Sequence, residues 1–288
     1  MPQATEMMRG ALSAIGGAKG LDAPAKKVSG WVTAATRATP VKNLLSGSWL
    51  GHQLHPMLTD VPIGAFTSAT LLDLFGGDDT AAASRRLVGV GILASAPTAM
   101  SGASDWSDTI GEDRRVGLVH GAMNGVATIL QTASWFARRR GHRGVGAGLS
   151  LLAMGLTLGS AYLGGHLSFA RGVGVNNTAF QDETTTWTDV AADAELTEGA
   201  LTRVDVDDVP VLLVRQRGEL RAISAVCSHA GGPLEKGTLD DSGCVTCPWH
   251  GSRFDTADGA VKRGPASVPQ PRWDVRVEEG RVLVRSAG

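Results

Sequence analysis

Charged residues make up only 19% of this 288-residue chain, and they are nearly missing from four apolar stretches, at about residues 57–75, 87–103, 116–137 and 144–165. The last three contain no Asp, Glu, Lys or Arg. Each stretch approaches the roughly 20 residues that a helix needs to cross a bilayer. A soluble Ala/Gly-rich bundle is the rival reading; the mean hydropathy of +0.02 favours it, and the long charge-free runs oppose it. Cysteine is scarcer still. Three residues, Cys227, Cys244 and Cys247, cannot build a disulfide framework once two are engaged elsewhere, so no oxidising compartment is required. A secretory signal is also missing, because the first 40 residues lack a compact apolar core with a cleavage site, and the N-terminus is expected to be kept. Residues 185–288 hold 12 Lys and Arg against 16 Asp and Glu. That acidic balance argues against nucleic-acid binding and suits docking onto a basic partner.

The most informative residues are two Cys-His pairs, Cys227-Ser-His229 and, after 17 intervening residues, Cys247-Pro-Trp-His250. Two thiolates on one iron and two imidazoles on the other form an asymmetric 2Fe-2S centre, less negative than an all-thiolate one, that transfers single electrons. Zinc is the rival, since structural zinc takes the same ligand types. Zinc knuckles, however, pair Cys with Cys and His with His, whereas both arms here are mixed. Gly231, Gly232 and Pro233 follow the first arm, and Pro248 and Gly251 flank the second. Small and kinked residues let backbone N–H groups approach inorganic sulfur. Cys244, three residues before Cys247, suits a strand and reads as a small buried hydrophobe.

The run CSHAGGPLEKG…CVTCPWHGSRFD resembles the cluster-binding region of Rieske proteins, most of all the ferredoxin branch, over about residues 187–284. The resemblance implies Cys227, His229, Cys247 and His250 as iron ligands. In the high-potential branch a disulfide joins the two cluster loops, and the matching positions here are Gly232 and Trp249, so that bond cannot form. The same branch places a serine and a tyrosine as hydrogen-bond donors to sulfur. Ser252 stands at the first position and Phe254 replaces the tyrosine, which implies a lower potential.

Downstream of residue 186, the short β-branched runs VPVLLVRQ, ELRAISAV, CVTC, SRFDT and RVLVR, separated by Gly, Asp and Pro, predict a small all-β domain. The expected fold class is thus α + β multidomain: an N-terminal segment (1–50), a four-helix transmembrane bundle (51–167), a linker (168–186) and an all-β Rieske domain (187–288). The linker, with Gly172, Gly174, paired Asn and a Thr run, reads as a tether that keeps the cluster near the membrane domain.

In the helical half, Gly117, Gly121 and Gly125, and Gly155 and Gly159, recur at the spacing used for close packing in membranes. Four spans would put His52, His55, His120 and His166 at one membrane face, the face that also bears the cluster domain. Asp60 and Asn124 add polar groups at similar depth, and ionisable residues in spans are functional candidates by default. These side chains could ligate a haem or another metal, or hydrogen-bond a quinone; alternatively they cap helix ends and bind nothing. The segment from Gly51 to Gly64, with its His-Pro, Asp and Pro-Ile-Gly, together with His120-Gly and Gly164-Gly165-His166, resembles an uncharacterised bacterial family of four-helix membrane domains. That resemblance implies the domain and no activity.

Lys and Arg near the two faces are almost balanced: Arg37, Lys42, Arg114, Arg115 and Arg171 against Arg85, Arg86, Arg138, Arg139, Arg140 and Arg143. The missing disulfide and signal peptide place the cluster on the cytoplasmic face of a multi-pass cell-membrane protein. The expected function is that of an oxidoreductase component, an electron carrier that exchanges electrons with a reductase and with a quinone, haem or oxygenase partner. The alternative is a redox sensor or quinone-reactive oxidoreductase whose membrane domain carries the output or active site. A Rieske oxygenase is excluded, because its catalytic iron needs two further His and a carboxylate downstream, and none of the 38 residues after His250 is histidine.

Overall fold

The computed structural model describes residues 2–287. Seven α-helices occur among these: α1 (Pro2–Gly17), α2 (Asp22–Ala35), α3 (Thr39–Ser46), α4 (Leu54–Phe75), α5 (Ala81–Trp106), α6 (Gly111–Arg139) and α7 (Arg143–Gly165). Ten strands follow: β1 (Thr188–Ala192), β2 (Leu201–Val206), β3 (Val209–Gln216), β4 (Glu219–Ser224), β5 (Thr238–Leu239), β6 (Cys244–Thr246), β7 (Arg253–Asp255), β8 (Val261–Arg263), β9 (Arg272–Glu278) and β10 (Arg281–Ser286). The chain forms two compact units, one of Met1–Thr36 with Leu54–Val173 and the other of Arg37–Gln53 with Gly174–Gly288. This division departs from the expected one. Residues 37–53, including α3, belong to the second unit.

In the helical unit, α4 to α7 cover the four apolar stretches. Helix α6 opens with Glu112 and Asp113 and closes with Arg138 and Arg139, an order that complements the helix dipole. Pro62 lies inside α4 and cannot donate to the carbonyl of Leu58. The hydroxyl of Thr98 on α5 takes that acceptor instead, at 3.0 Å, so the break in one helix becomes a bond to its neighbour. Polar side chains are buried beside the apolar clusters of Phe66, Ala69 and Val88 and of Leu12, Val116 and Leu163. Ser84, Ser101, Gln131, Ser134, Ser150 and Ser160 are buried, while Phe75, Leu93, Ile129, Leu152 and Leu158 are exposed.

Two helical segments, Asp78–Trp106 and Arg143–Ala170, are long and apolar enough to cross a membrane by length and composition. Helix α4 carries Asp60 and Asp73, and α6 is charged at both ends, which lowers their apolar character. Not every small residue marks a helix contact. A Cβ on Gly159 would lie 2.9 Å from Met123, and Gly117 sits against Trp106, but nothing approaches Gly121, Gly125 or Gly155 within 4 Å, and those three are exposed.

Arg138, expected on a membrane-flanking loop, is buried. It donates to Asp73 from both terminal nitrogens, to Ser84 at 3.0 Å, to Ser134 at 3.0 Å and to Ser150 at 3.2 Å. Side-chain exposure is 3% for Arg138 and 4% for Asp73, so the pair ties α4, α5, α6 and α7 together from within. Lys42 is also buried. Removing one charge from each side leaves the orientation tally as balanced as before.

In the second unit, β1 to β4, β9 and β10 form an antiparallel sheet in the order β1-β10-β9-β4-β3-β2, and β5 to β8 form a smaller sheet in sequence order. Side chains alternate across a strand. Val211 and Leu213 of β3 therefore pack with Val206, Trp273, Val282 and Val284, while Leu212 and Val214 pack with Cys227, Val245, Cys247 and Phe254. Both faces of β3 are buried, and one of them packs against the loops that carry the two Cys-His pairs. Much of the expected tether is pinned to this unit. Asn177 N–H bonds Ser228 O at 3.0 Å, Ser286 N–H bonds Thr184 O at 2.8 Å, and Ser224 Oγ donates to Gln181 at 2.8 Å.

Candidate metal centre

The two Cys-His arms occupy loops closed in the same way. The first follows β4, and Cys227 N–H bonds Gly232 O at 2.8 Å while Gly231 N–H bonds Cys227 O at 2.9 Å. The second joins β6 to β7, and Cys247 N–H bonds Ser252 O at 2.8 Å while Gly251 N–H bonds Cys247 O at 3.1 Å. Gly231 and Gly251 hold φ of 75° and 72°, a left-handed conformation that glycine adopts without steric cost. Cys227 Sγ accepts the N–H groups of His229 and Ala230, and Cys247 Sγ accepts those of Trp249 and His250. The loops thus offer two sulfurs in matching cradles of backbone donors.

The cysteine side chains are hydrogen-bonded to each other, and this bond pushes the two thiols apart. It draws Cys247 down to about 6, helped by the N–H groups of Trp249 and His250, and drives Cys227 upward, together with burial. One proton shared between two sulfurs is readily displaced by a metal, which takes up thiolates. The His229 and His250 rings stand 5.0 Å apart at 84°. Both Nδ1 atoms are buried, and that of His229 makes no hydrogen bond. A buried, unbonded ring nitrogen costs free energy unless something else takes its lone pair. Burial first, then the charges of His250 and Lys42, lower His229 to about 3, so its imidazole is neutral and ready to ligate. Two adjacent sulfurs and two imidazoles can hold a 2Fe-2S group on these observations.

Ser252, fully buried, accepts the Ala266 N–H at 3.0 Å, which leaves its own proton as a donor. Phe254, also fully buried, packs in the same core as Cys227 and Cys247. Gly232 faces Trp249: a Cβ there would lie 3.1 Å from the indole and 2.9 Å from Cys247 Sγ. An indole stacked on glycine thus stands at the positions matched to the disulfide of the high-potential branch. Cys244 is buried on β6, outside the apolar cluster that holds Cys227 and Cys247, and accepts a hydrogen bond from Ser242 Oγ at 3.4 Å.

The candidate residues of the helical half are brought together only in part. His55 and His120 meet with ring centroids 6.5 Å apart. His55 Nδ1 bonds Thr98 O at 3.0 Å, His120 Nδ1 bonds Ser160 O at 2.8 Å, and Asn124 Nδ2 lies 3.3 Å from His120 Nε2. Asp60 is exposed, because five residues beyond His55 on a 3.6-residue helix lie roughly 140° around. His52 is exposed and bonded to Gln53 O, and it belongs to the other unit. His166 begins a π-helical turn (His166–Ala170) that continues α7. Bis-histidine ligation of a haem would need both Nε2 atoms on iron, and the Asn124 amide lies 3.3 Å from that of His120, so the pair does not fit that ligation as it stands.

Sequence reasoning missed two supports of the first loop. Asn177 donates to His229 O at 3.1 Å, and Ser228 Oγ donates to Val268 O at 2.7 Å. The paired Asn176-Asn177 was the available signal for the first; nothing pointed to the second. It also missed α3. Asn43 donates to Lys262 O at 3.2 Å and accepts the Gly264 N–H at 2.9 Å.

Comparison with known proteins matches residues 186–276 to the Rieske 2Fe-2S domain and residues 51–177 to a predicted membrane protein domain (DUF2231). Apoptosis-inducing factor 3 of Homo sapiens is 36% identical over 93 residues, which are 32% of this chain and only 15% of that protein. Ferredoxin CarAc of Metapseudomonas resinovorans is 32% identical over 99 residues, 34% of this chain and 92% of the ferredoxin. The solved ferredoxin of carbazole 1,9a-dioxygenase from Nocardioides aromaticivorans IC177 aligns at 36% identity, covering 36% of this chain and all of that one, with a TM-score of 0.35. The chain belongs to the Rieske 2Fe-2S proteins, and it carries that domain after a predicted membrane protein domain (DUF2231) in a single polypeptide.

Proposed function

We propose that this chain is a membrane-anchored electron carrier in which Cys227 and Cys247 hold one iron of the 2Fe-2S cluster and His229 and His250 hold the other through Nδ1. The observation that carries this reading is the pair of equivalently closed loops, each with a sulfur cradled by two N–H groups and a histidine whose Nδ1 is buried. When bound, the cluster supplies one-electron transfer. The loop amides and Ser252 donate toward sulfur, which favours the reduced, more negative state. Burial keeps the His229 imidazole neutral, and burial of both cysteines excludes water from the thiolate side. The matches to ferredoxin components of oxygenase systems support a reductase as donor and an oxygenase as acceptor.

Helices α4 to α7 cross the membrane four times on this reading, supported by their exposed apolar residues, and the cluster unit faces the cytoplasm. His55 and His120, each with Nδ1 committed to a main-chain carbonyl, are the candidate partners of a quinone. Introduced cysteines at residues 108 and 141, labelled in intact cells, test the anchor. Opposite accessibility supports four spans, and labelling from the same side refutes them. Reoxidation of the reduced carrier by quinone at equal rates in the wild type and in His120→Ala would make the histidines structural.

A further inference from the structure

Asn177 is the last residue of the membrane-domain match and precedes the Rieske match, which begins at residue 186, yet it belongs to the cluster unit. Its main-chain N–H donates to Ser228 O at 3.0 Å, and its side-chain Nδ2 donates to His229 O at 3.1 Å. The side-chain amide is fixed in this orientation. Nδ2 also donates to Val175 O at 3.1 Å, and a Cβ on Gly231 would stand 3.5 Å from Oδ1. The next residue, Thr178, is buried and locked by Asn176 Oδ1, which accepts its N–H at 3.0 Å and its hydroxyl at 2.8 Å.

A trans peptide points its N–H away from its C=O. The N–H opposite Ser228 O is that of His229, and the N–H opposite His229 O is that of Ala230. These are the two N–H groups that Cys227 Sγ accepts, in a turn closed by the Gly231 N–H on Cys227 O at 2.9 Å. One residue therefore grips both peptides from the side away from the sulfur. A bond accepted at a carbonyl polarises its peptide and strengthens the donor at the other end by about 10–30%. It also resists rotation of the N–H out of line, where a hydrogen bond weakens steeply.

We propose that Asn177 is a positioning residue of the Rieske centre, which holds the Ser228 and His229 carbonyls so that the two N–H···S bonds to Cys227 are aimed and strengthened, and thereby raises the cluster's reduction potential. Reduction adds one electron, from a reductase or from dithionite, to the bound group, and N–H donors at sulfur favour that more negative state. The potential then depends on a residue that the Rieske match does not include. The inference rests on the assignment of the cluster.

The test is a redox titration of the full-length protein, followed by EPR, for the wild type, Asn177→Leu, Asn177→Ala, Asn177→Gln and Gln181→Ala. Leucine has nearly the shape of asparagine, lacks the donor and keeps water from His229 O, so Asn177→Leu should lower the midpoint potential. Asn177→Ala should lower it less, because position 177 is exposed and water can bond the freed carbonyl. Asn177→Gln keeps a donor and should lie closer to wild type than Asn177→Leu. Gln181→Ala removes the bond from Ser224 Oγ, at 2.8 Å, that ties the same segment to β4, but it touches neither peptide and should leave the potential unmoved. Electron–nuclear double resonance of the reduced protein in heavy water should show weaker coupling of the exchanged amide deuterons in Asn177→Leu. Filled clusters of unmoved potential in Asn177→Leu, or an equal fall in Gln181→Ala, overturn the inference. If Asn177→Leu fails to retain a cluster, Asn177→Ala decides: a lowered potential supports the inference and an unchanged one overturns it. An EPR-silent wild type would refute the cluster assignment itself, a different outcome from an unmoved potential.

Discussion

Gly232→Ala probes how closely the first metal-binding loop abuts the second. A Cβ at this position would stand 2.9 Å from Cys247 Sγ and 3.1 and 3.2 Å from Trp249 Cδ2 and Cγ. The first distance is shorter than side chains tolerate, so an atom must move. Trp249 is 56% exposed and can tilt outward, whereas Cys247 is 3% exposed and its sulfur is held by two N–H groups. Overpacking of this kind costs about 1–3 kcal/mol. Relief by the indole puts the expected cost at the lower end, about 1 kcal/mol, or roughly fivefold in the balance between filled and empty protein. Iron and acid-labile sulfide per chain, and the rate of cluster loss to a chelator, measure it. Adding Trp249→Ala removes one of the two contacts and should recover part of the loss. Wild-type occupancy, chelator resistance and EPR line shape in Gly232→Ala would show that the loops are not as close as described.

Cys227→Ser or His250→Ala should abolish cluster retention, while Cys244→Ser should leave it in place, as read by iron content. Phe254→Tyr should raise the reduction potential by adding a hydroxyl donor near a cluster thiolate, checked by potentiometry. Arg138→Leu strands the buried Asp73 carboxylate and should lower stability by about 3–5 kcal/mol in thermal unfolding in detergent, with Asp73→Leu/Arg138→Leu losing less. In the cluster-free protein His229 is held neutral in the folded state, down to about 3, while the unfolded chain takes up the proton near the usual imidazole value of about 6.5. Stability is therefore fully present above about pH 6.5 and should fall as pH drops toward about 3, as urea unfolding at pH 7.5 and 4.5 would register.

The metal-binding half was legible because its signals are local. Alternation marks β3, which spans the residues expected, and two spaced motifs mark two loops, each carrying its own Cys-His pair. Cys244 was assigned to a strand by the same alternation. The helical stretches were legible from missing charge, and their end-to-end register brought His55 and His120 together, as reasoned. Asp60 was misplaced because depth along a helix is set by residue count and facing by angle, and only the first was considered. Arg138 was counted as a loop charge because a lone basic residue at a helix end ordinarily points to water; its partner, Asp73, lies 65 residues earlier. The most consequential miss is α3. Nothing in TPVKNLLS announces that a short polar helix will dock beside Gly264, more than 200 residues away, since the signal is the shape of a loop rather than a pattern in sequence. Much of the expected tether fails as a tether for a related reason: Asn177, Gln181 and Thr184 use side-chain and backbone bonds to the β-sheet unit that composition does not reveal.

The EPR spectrum of the dithionite-reduced, detergent-purified full-length protein, taken with its iron and acid-labile sulfide content, tests the central claim most directly. The account expects two irons and two sulfides per chain and a reduced-state signal with an average g value below that of the free electron, lost in His229→Ala. A colourless, EPR-silent protein with stoichiometric zinc bound to the same four side chains would contradict it.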